Sequence, residues 1–170
     1  FQNISDHYYP YKIFKILQNL GVPRFYEFIL HYIFAGLGLF VLLKYLNCNF
    51  ISSLFGSISF MTMSYLITMI VHGHGSQMMT ASYIPWIIWA LVYLINNQNI
   101  KSIGILGLLV GLQLQRSHVQ IAYYTWMMLG LYIIIDFTYI FFVEKKKDFK
   151  WFLYTISGLL LSILTCLSLY

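Results

Sequence analysis

The chain has 170 residues, 60% of them hydrophobic, 19% aromatic and only 9% charged, with a formal charge of +5 and a mean hydropathy of +0.74. Soluble domains carry about 25% charged residues, so these values exclude an ordinary water-soluble globule and indicate an integral membrane protein in contact with lipid. The basic residues are scattered over the ends of apolar runs, which argues against a nucleic-acid partner and for membrane topology as their cause.

Residues 1–26 read as an extracytoplasmic or interfacial segment, and 27–170 as a transmembrane helical domain. The chain opens on Phe1 and closes in an apolar run at Tyr170, so it reads as a fragment truncated at both ends; no signal-peptide pattern is visible. Ser5 and Asp6 are candidate helix caps. From Tyr11 to Leu20, Ile13, Phe14, Ile16, Leu17 and Leu20 share one face, and Lys12, Lys15, Gln18 and Asn19 the other. That pattern predicts a short amphipathic helix lying at the membrane interface, stopped by Gly21 and Pro23.

About six apolar runs follow, at 28–46, 50–71, 78–95, 101–115, 119–143 and 151–170. The expected fold is therefore all-α: a polytopic transmembrane helical bundle of about six membrane helices plus the N-terminal interfacial helix. The fourth run is short, and its Gly107 and Gly111 form a small-xxx-small pair suited to close helix approach. Lys44, Lys101, Lys145, Lys146, Lys147 and Lys150 fall on one side of an alternating topology, which the positive-inside rule makes cytoplasmic. Lys12, Lys15 and Arg24 oppose this but precede the first run. Cys48 and Cys166 have no metal spacing and read as structural.

Two polar hinges interrupt the apolar runs on the opposite side. The first, His72-Gly73-His74-Gly75-Ser76-Gln77, holds two imidazoles and two turn-forming glycines. Three readings stay open for it: loop residues at the water interface, an anion site made with glycine backbone N–H groups, and haem or copper ligation. The second runs from Gln113 to Gln120 and includes Gln115, Arg116, Ser117 and His118. An arginine is costly near hydrocarbon, so Arg116 either snorkels to headgroups or grips a phosphate; its clustering with amides and imidazole favours the second. Tyr83, Trp86, Tyr123, Tyr124 and Trp126 read as an interfacial aromatic belt ahead of sugar-stacking platforms. Pro85 is expected to kink the third run and free a carbonyl. Asp136 either pairs with another helix or marks the cytoplasmic end of a run 119–135, and the second is the preferred reading. Glu144 to Asp148 reads as a solvated loop. Asp6 and Glu27 are the acids on the hinge side.

The two hinges resemble a known family. His72-Gly73-His74-Gly75-Ser76-Gln77 with Ser82-Tyr83-Ile84-Pro85, and Gln113-Leu114-Gln115-Arg116-Ser117-His118-Val119-Gln120-Ile121-Ala122-Tyr123-Tyr124, look like two segments of YfhO-like bacterial membrane proteins, and Tyr9-Pro10 resembles a Tyr-Pro pair of their first outer loop. The resemblance implies a GT-C type glycosyltransferase in the bacterial inner membrane. Such an enzyme moves a sugar from a polyprenyl-phosphate carrier to a cell-envelope acceptor outside the cytoplasm. Its catalytic acid is expected upstream of Phe1, so no catalytic residue is assigned in this chain. The candidate substrate-binding set is His72, His74, Gln77, Gln113, Arg116, His118 and Gln120. Arg116, His74 and His118 would neutralise the carrier phosphate, and the glutamines would bind phosphate or sugar hydroxyls. No metal ligand or cofactor is assigned. A transporter or flippase for a lipid-linked or anionic solute, a haem or metal-binding redox subunit, and a purely structural membrane protein are the competing readings.

Overall fold

The computed structural model describes residues 9–116, 118–144 and 150–167. The expected caps Ser5 and Asp6, the hinge residue Ser117 and the loop 145–149 lie outside the described residues. The described chain is an all-α helical bundle: α1 Tyr9–Asn19, α2 Phe25–Tyr45, α3 Phe50–Met61, α4 Ser64–Val71, α5 Gly75–Ala81, α6 Ile84–Asn97, α7 Ile100–Gln115, α8 Val119–Tyr139 and α9 Lys150–Leu167, with a π-helical turn, Ile140–Glu144, extending α8.

Among the described residues, five stretches are long and apolar enough to cross a membrane: Phe25–Tyr45, Phe50–Val71, Gly75–Asn97, Val119–Phe142 and Lys150–Leu167. This is a multi-pass membrane protein. The expected fourth run is the shorter apolar helix Ile100–Gln115, whose 16 residues span about 24 Å at 1.5 Å per residue.

Two expected continuous runs are each broken in the middle. In the run 50–71, the Thr62 hydroxyl donates to the Ile58 carbonyl at 2.9 Å, and Met63 turns extended at ψ 126° before α4 restarts. The hydroxyl bond does not by itself break a helix, since Thr125 and Thr155 make the same bond inside the unbroken α8 and α9. In the next stretch, α5 and α6 meet at Ser82–Tyr83 because Pro85, which lacks an N–H, fits only in the first turn of α6. The expected kink at Pro85 is therefore a helix break. Asp136 is a correction: α8 passes it and continues to Tyr139, because no Gly or Pro lies between Leu131 and Tyr139 to stop the helix.

α1 ends as its sequence dictates. Gly21 takes φ +88°, and the Val22 N–H donates to the Leu17 carbonyl at 3.0 Å, the left-handed glycine closure of a helix. The apolar face of α1 is divided. Phe14 packs toward the core and its ring lies 5.7 Å from that of His31, whereas Ile13, Ile16 and Leu20 are exposed. An exposed apolar edge beside Lys12 and Lys15 suits an interfacial helix.

Close packing rests on glycines facing larger groups. Gly38 of α2 admits the Trp86 indole: a Cβ there would stand 2.6 Å from Trp86 Nε1, which donates to the Phe34 carbonyl at 2.8 Å. Gly107 lies against Gly158 and Leu161, and Gly111 against Ser162 and Thr165, so the small-xxx-small pair of α7 receives α9. The contacts advance in the same direction along both helices, so α7 and α9 are parallel and Lys101 and Lys150 start at one end of the bundle. Lys44, in the last turn of α2, joins that end, where Tyr45 accepts hydrogen bonds from Asn96 and Asn97. Both hinges lie at the other end.

A Cβ at Gly107 would come within 3.1 Å of the Gly158 carbonyl oxygen, whereas one at Gly104 would meet nothing within 4 Å. Gly107→Leu is therefore expected to destabilise the protein by about 1–3 kcal/mol through overpacking. Gly104→Ala is expected to stabilise it slightly, up to about 1 kcal/mol, through helix propensity. Thermal unfolding of both variants in the same lipid nanodiscs measures the contrast.

Candidate functional site

The first hinge is built by a glycine-closed helix end. Gly73 takes φ +78°, the Gly73 N–H donates to the Ile70 carbonyl at 3.1 Å, and the His74 N–H donates to the Met69 carbonyl at 2.7 Å. Only a residue tolerant of the left-handed region sits here without strain. α5 then starts at once, with Gly75 packed beneath the Phe28 ring. His72 and His74 thus flank a reversal instead of sharing a helix, and both face one groove.

That groove has a volume of about 360 Å³ and is lined by Tyr65, Thr68, Met69 and His72 from the α4 side, His74 and Gln77 at α5, and Gln120 and Ile121 of α8. The two hinges therefore meet at one site. His72 Nδ1 lies 2.9 Å from the Thr68 carbonyl, so Nδ1 carries the hydrogen and the ring is oriented by its own helix. Gln120 Nε2 donates to the Tyr124 hydroxyl at 3.1 Å. Among the described residues no Asp or Glu lines this groove, so its polar surface consists of imidazole, amide and hydroxyl groups. Among the described residues, no group of three or more His, Cys, Asp or Glu is placed to hold a metal.

Four of the sequence-predicted residues, His72, His74, Gln77 and Gln120, line the groove. His118 is not among the lining residues; it is the N-cap of α8, two residues before Gln120. Burial pushes the His118 imidazole below its ordinary value; an interaction with its own backbone opposes this, and His74 lowers it further. A histidine whose folded pKa is depressed favours the unfolded, protonated state once pH falls below the ordinary 6.5. The thermal midpoint is therefore expected to drop between pH 7 and pH 5, and His118→Gln to flatten that drop; an unchanged slope in the variant would remove His118 as its cause.

Gln113 and Arg116 do not line the groove; they are buried behind it. Gln113 is fully buried, and its Nε2 donates to the Thr80 carbonyl at 3.3 Å and to Thr125 Oγ1 at 3.0 Å. It ties α5, α7 and α8 together and takes up a carbonyl at the helix break before Pro85. Its Oε1 has no partner among the described residues. Arg116, 5% exposed, caps α7 and pairs with Glu27 of α2 at 3.3 Å, with both side chains buried. Its second guanidinium nitrogen contacts Met79 Sδ of α5. The guanidinium is thus engaged by Glu27, not turned toward the groove. Beside the pair, His31 Nδ1 donates to the Glu27 carbonyl at 2.8 Å.

Sequence reasoning missed Glu27 as the partner of Arg116. The available signal was mutual scarcity: a charge at the edge of an apolar run must find its opposite, and Glu27 is the acid nearest the start of the first run. It also missed Tyr65 and Thr68, which are ordinary helix residues until α4 turns them into a wall. Tyr83 and Trp86 are a correction to the aromatic belt. Tyr83 is buried, its ring is 5.1 Å from Phe34 and T-shaped to it, and Trp86 is stacked on the same Phe34 at 5.1 Å. They belong to the α2–α6 core. Tyr123 and Tyr124 are exposed as a belt requires.

Comparison with protein families, curated proteins and solved structures finds no match to this chain.

Proposed function

We propose that this chain is part of a membrane glycosyltransferase resembling the YfhO-like proteins, which takes a sugar from a polyprenyl-phosphate carrier outside the cytoplasm. The observation that carries the reading is the groove where both hinges converge, lined by the imidazoles and amides of His72, His74, Gln77 and Gln120. The positive-inside rule favours a cytoplasmic lysine-bearing end, so the groove would face the extracytoplasmic side; the resemblance implies a bacterial inner membrane.

His72 and His74, with His118 at the start of α8, would meet the carrier phosphate. An imidazole N–H of His74 can donate to a phosphate oxygen, whereas the Nδ1–H of His72 is held by the Thr68 carbonyl and that ring presents its Nε2 edge to the groove. Gln77 and Gln120 would hydrogen-bond sugar hydroxyls or the remaining phosphate oxygens. Gln113 and Arg116 hold the walls from behind. The base that deprotonates the acceptor hydroxyl is not assigned among the described residues.

Membranes containing the protein, supplied with labelled polyprenyl-phosphate sugars, are expected to pass label to an envelope polymer, and His72→Ala/His74→Ala to reduce transfer at least about tenfold. Transbilayer movement of the labelled lipid without transfer would assign the groove to a flippase. Transfer unaffected by the double substitution would remove the imidazoles from the site.

A further inference from the structure

We infer that Glu27 is a positioning residue for the hinge groove, acting through its buried ion pair with Arg116. The inference rests on the reading of the groove as an anion site and adds what fixes its width. The groove has two polar walls that belong to different parts of the chain: His74 and Gln77 stand at α5, and Gln120 on α8. Arg116 reaches both. It is the C-cap of α7, four residues before Gln120, and its guanidinium contacts Met79, two residues after Gln77 on α5.

What holds the guanidinium in that place is Glu27, 3.3 Å away in the first turn of α2. α2 is also the helix whose Phe28 covers Gly75 at the start of α5, so the adjacent residues Glu27 and Phe28 fix the turn after α7 and the start of α5 from one helical turn. The planar fork of arginine suits this role, because it can bind two elements at set angles where a lysine supplies a point charge.

Stability alone does not account for the pair. A buried ion pair loses the hydration of both charges, and replacing it by apolar side chains of similar volume is often neutral or stabilising. The geometry it imposes is what apolar side chains would not reproduce.

The test uses the full chain in nanodiscs with geranyl phosphate as the probe. Affinity is read from titration, and contact from the NMR shifts of the His72 and His74 imidazoles. The wild-type protein is expected to bind saturably with shifts at both rings; no binding would overturn the anion reading of the groove itself. Glu27→Leu/Arg116→Met is expected to keep the wild-type thermal midpoint and to lose about tenfold or more in affinity, because small displacements of positioned groups are costly. Arg116→Lys, which retains the charge but not the planar fork, is expected to lose affinity as well, and serves alone if the double variant does not fold. Wild-type binding with undiminished affinity in the folded variants would overturn the positioning role and leave the anion reading standing.

Discussion

Glu27→Leu is expected to destabilise the protein by roughly 3–5 kcal/mol, because it leaves the Arg116 guanidinium buried without its carboxylate. Both side chains are almost fully enclosed, at 4% and 3% exposure, so water cannot easily replace the lost partner. Arg116→Ala is expected to cost a similar amount, by stranding Glu27 and vacating the contact with Met79. The sequence alone suggests that Arg116→Ala abolishes transfer while leaving insertion intact; with the ion pair in view, a loss of folded protein is expected as well. The double variant Glu27→Leu/Arg116→Met should return close to wild-type stability, since it removes both desolvated charges together. Reversible unfolding of the four proteins measures the coupling directly. Additive single-variant losses in the double variant would mean that the two charges do not depend on each other.

Gln113→Glu is expected to be the most damaging near-isosteric change in the bundle. The amide Nε2 donates to the Thr80 carbonyl and to Thr125 Oγ1, and an ionised carboxylate donates to neither. The new carboxyl must either face the Thr80 carbonyl as a charge or be neutralised. Neutralising a carboxyl at pH 7 costs roughly 3–4 kcal/mol, at about 1.36 kcal/mol per unit between pH 7 and its ordinary pKa near 4.3. The loss should therefore shrink as pH falls toward 4, the opposite of the trend expected from His118. Gln113→Met is expected to lie within about 1.5 kcal/mol of wild type: it gives up two hydrogen bonds and also removes the unpartnered Oε1. Thermal midpoints of both variants at pH 7 and pH 5 distinguish the two effects. A Gln113→Glu variant as stable as Gln113→Met at pH 7 would mean that water or another donor reaches this position.

Helix content, the apolar runs and the polar interruptions are local properties of this sequence, and they were legible in it. Composition fixes a multi-pass helical membrane protein, because unbroken apolar stretches have no other stable arrangement in lipid. Gly21 stops α1 and Gly73 closes α4, since a left-handed turn suits glycine wherever it falls in the fold. The helix breaks were only partly legible: Pro85 announces one, whereas Thr62 does not announce the other, since Thr125 and Thr155 bond the carbonyl four residues back inside unbroken helices.

Which charge finds which partner was decided by the tertiary structure. Glu27 and Arg116 are separated by most of the chain, and whether Arg116 meets a phosphate, a headgroup or a carboxylate depends on where the first turn of α2 is placed. The same holds for Gln113, whose amide reads as ligand-binding from sequence and proves to be committed to Thr80 and Thr125. His72, His74, Gln77 and Gln120 remain open to the groove because they lie on the turn and helix faces that packing leaves uncovered. Sequence names the residues able to bind; burial selects among them, because a buried polar group must use its hydrogen bonds inside the protein and only the unburied ones can offer theirs to a ligand.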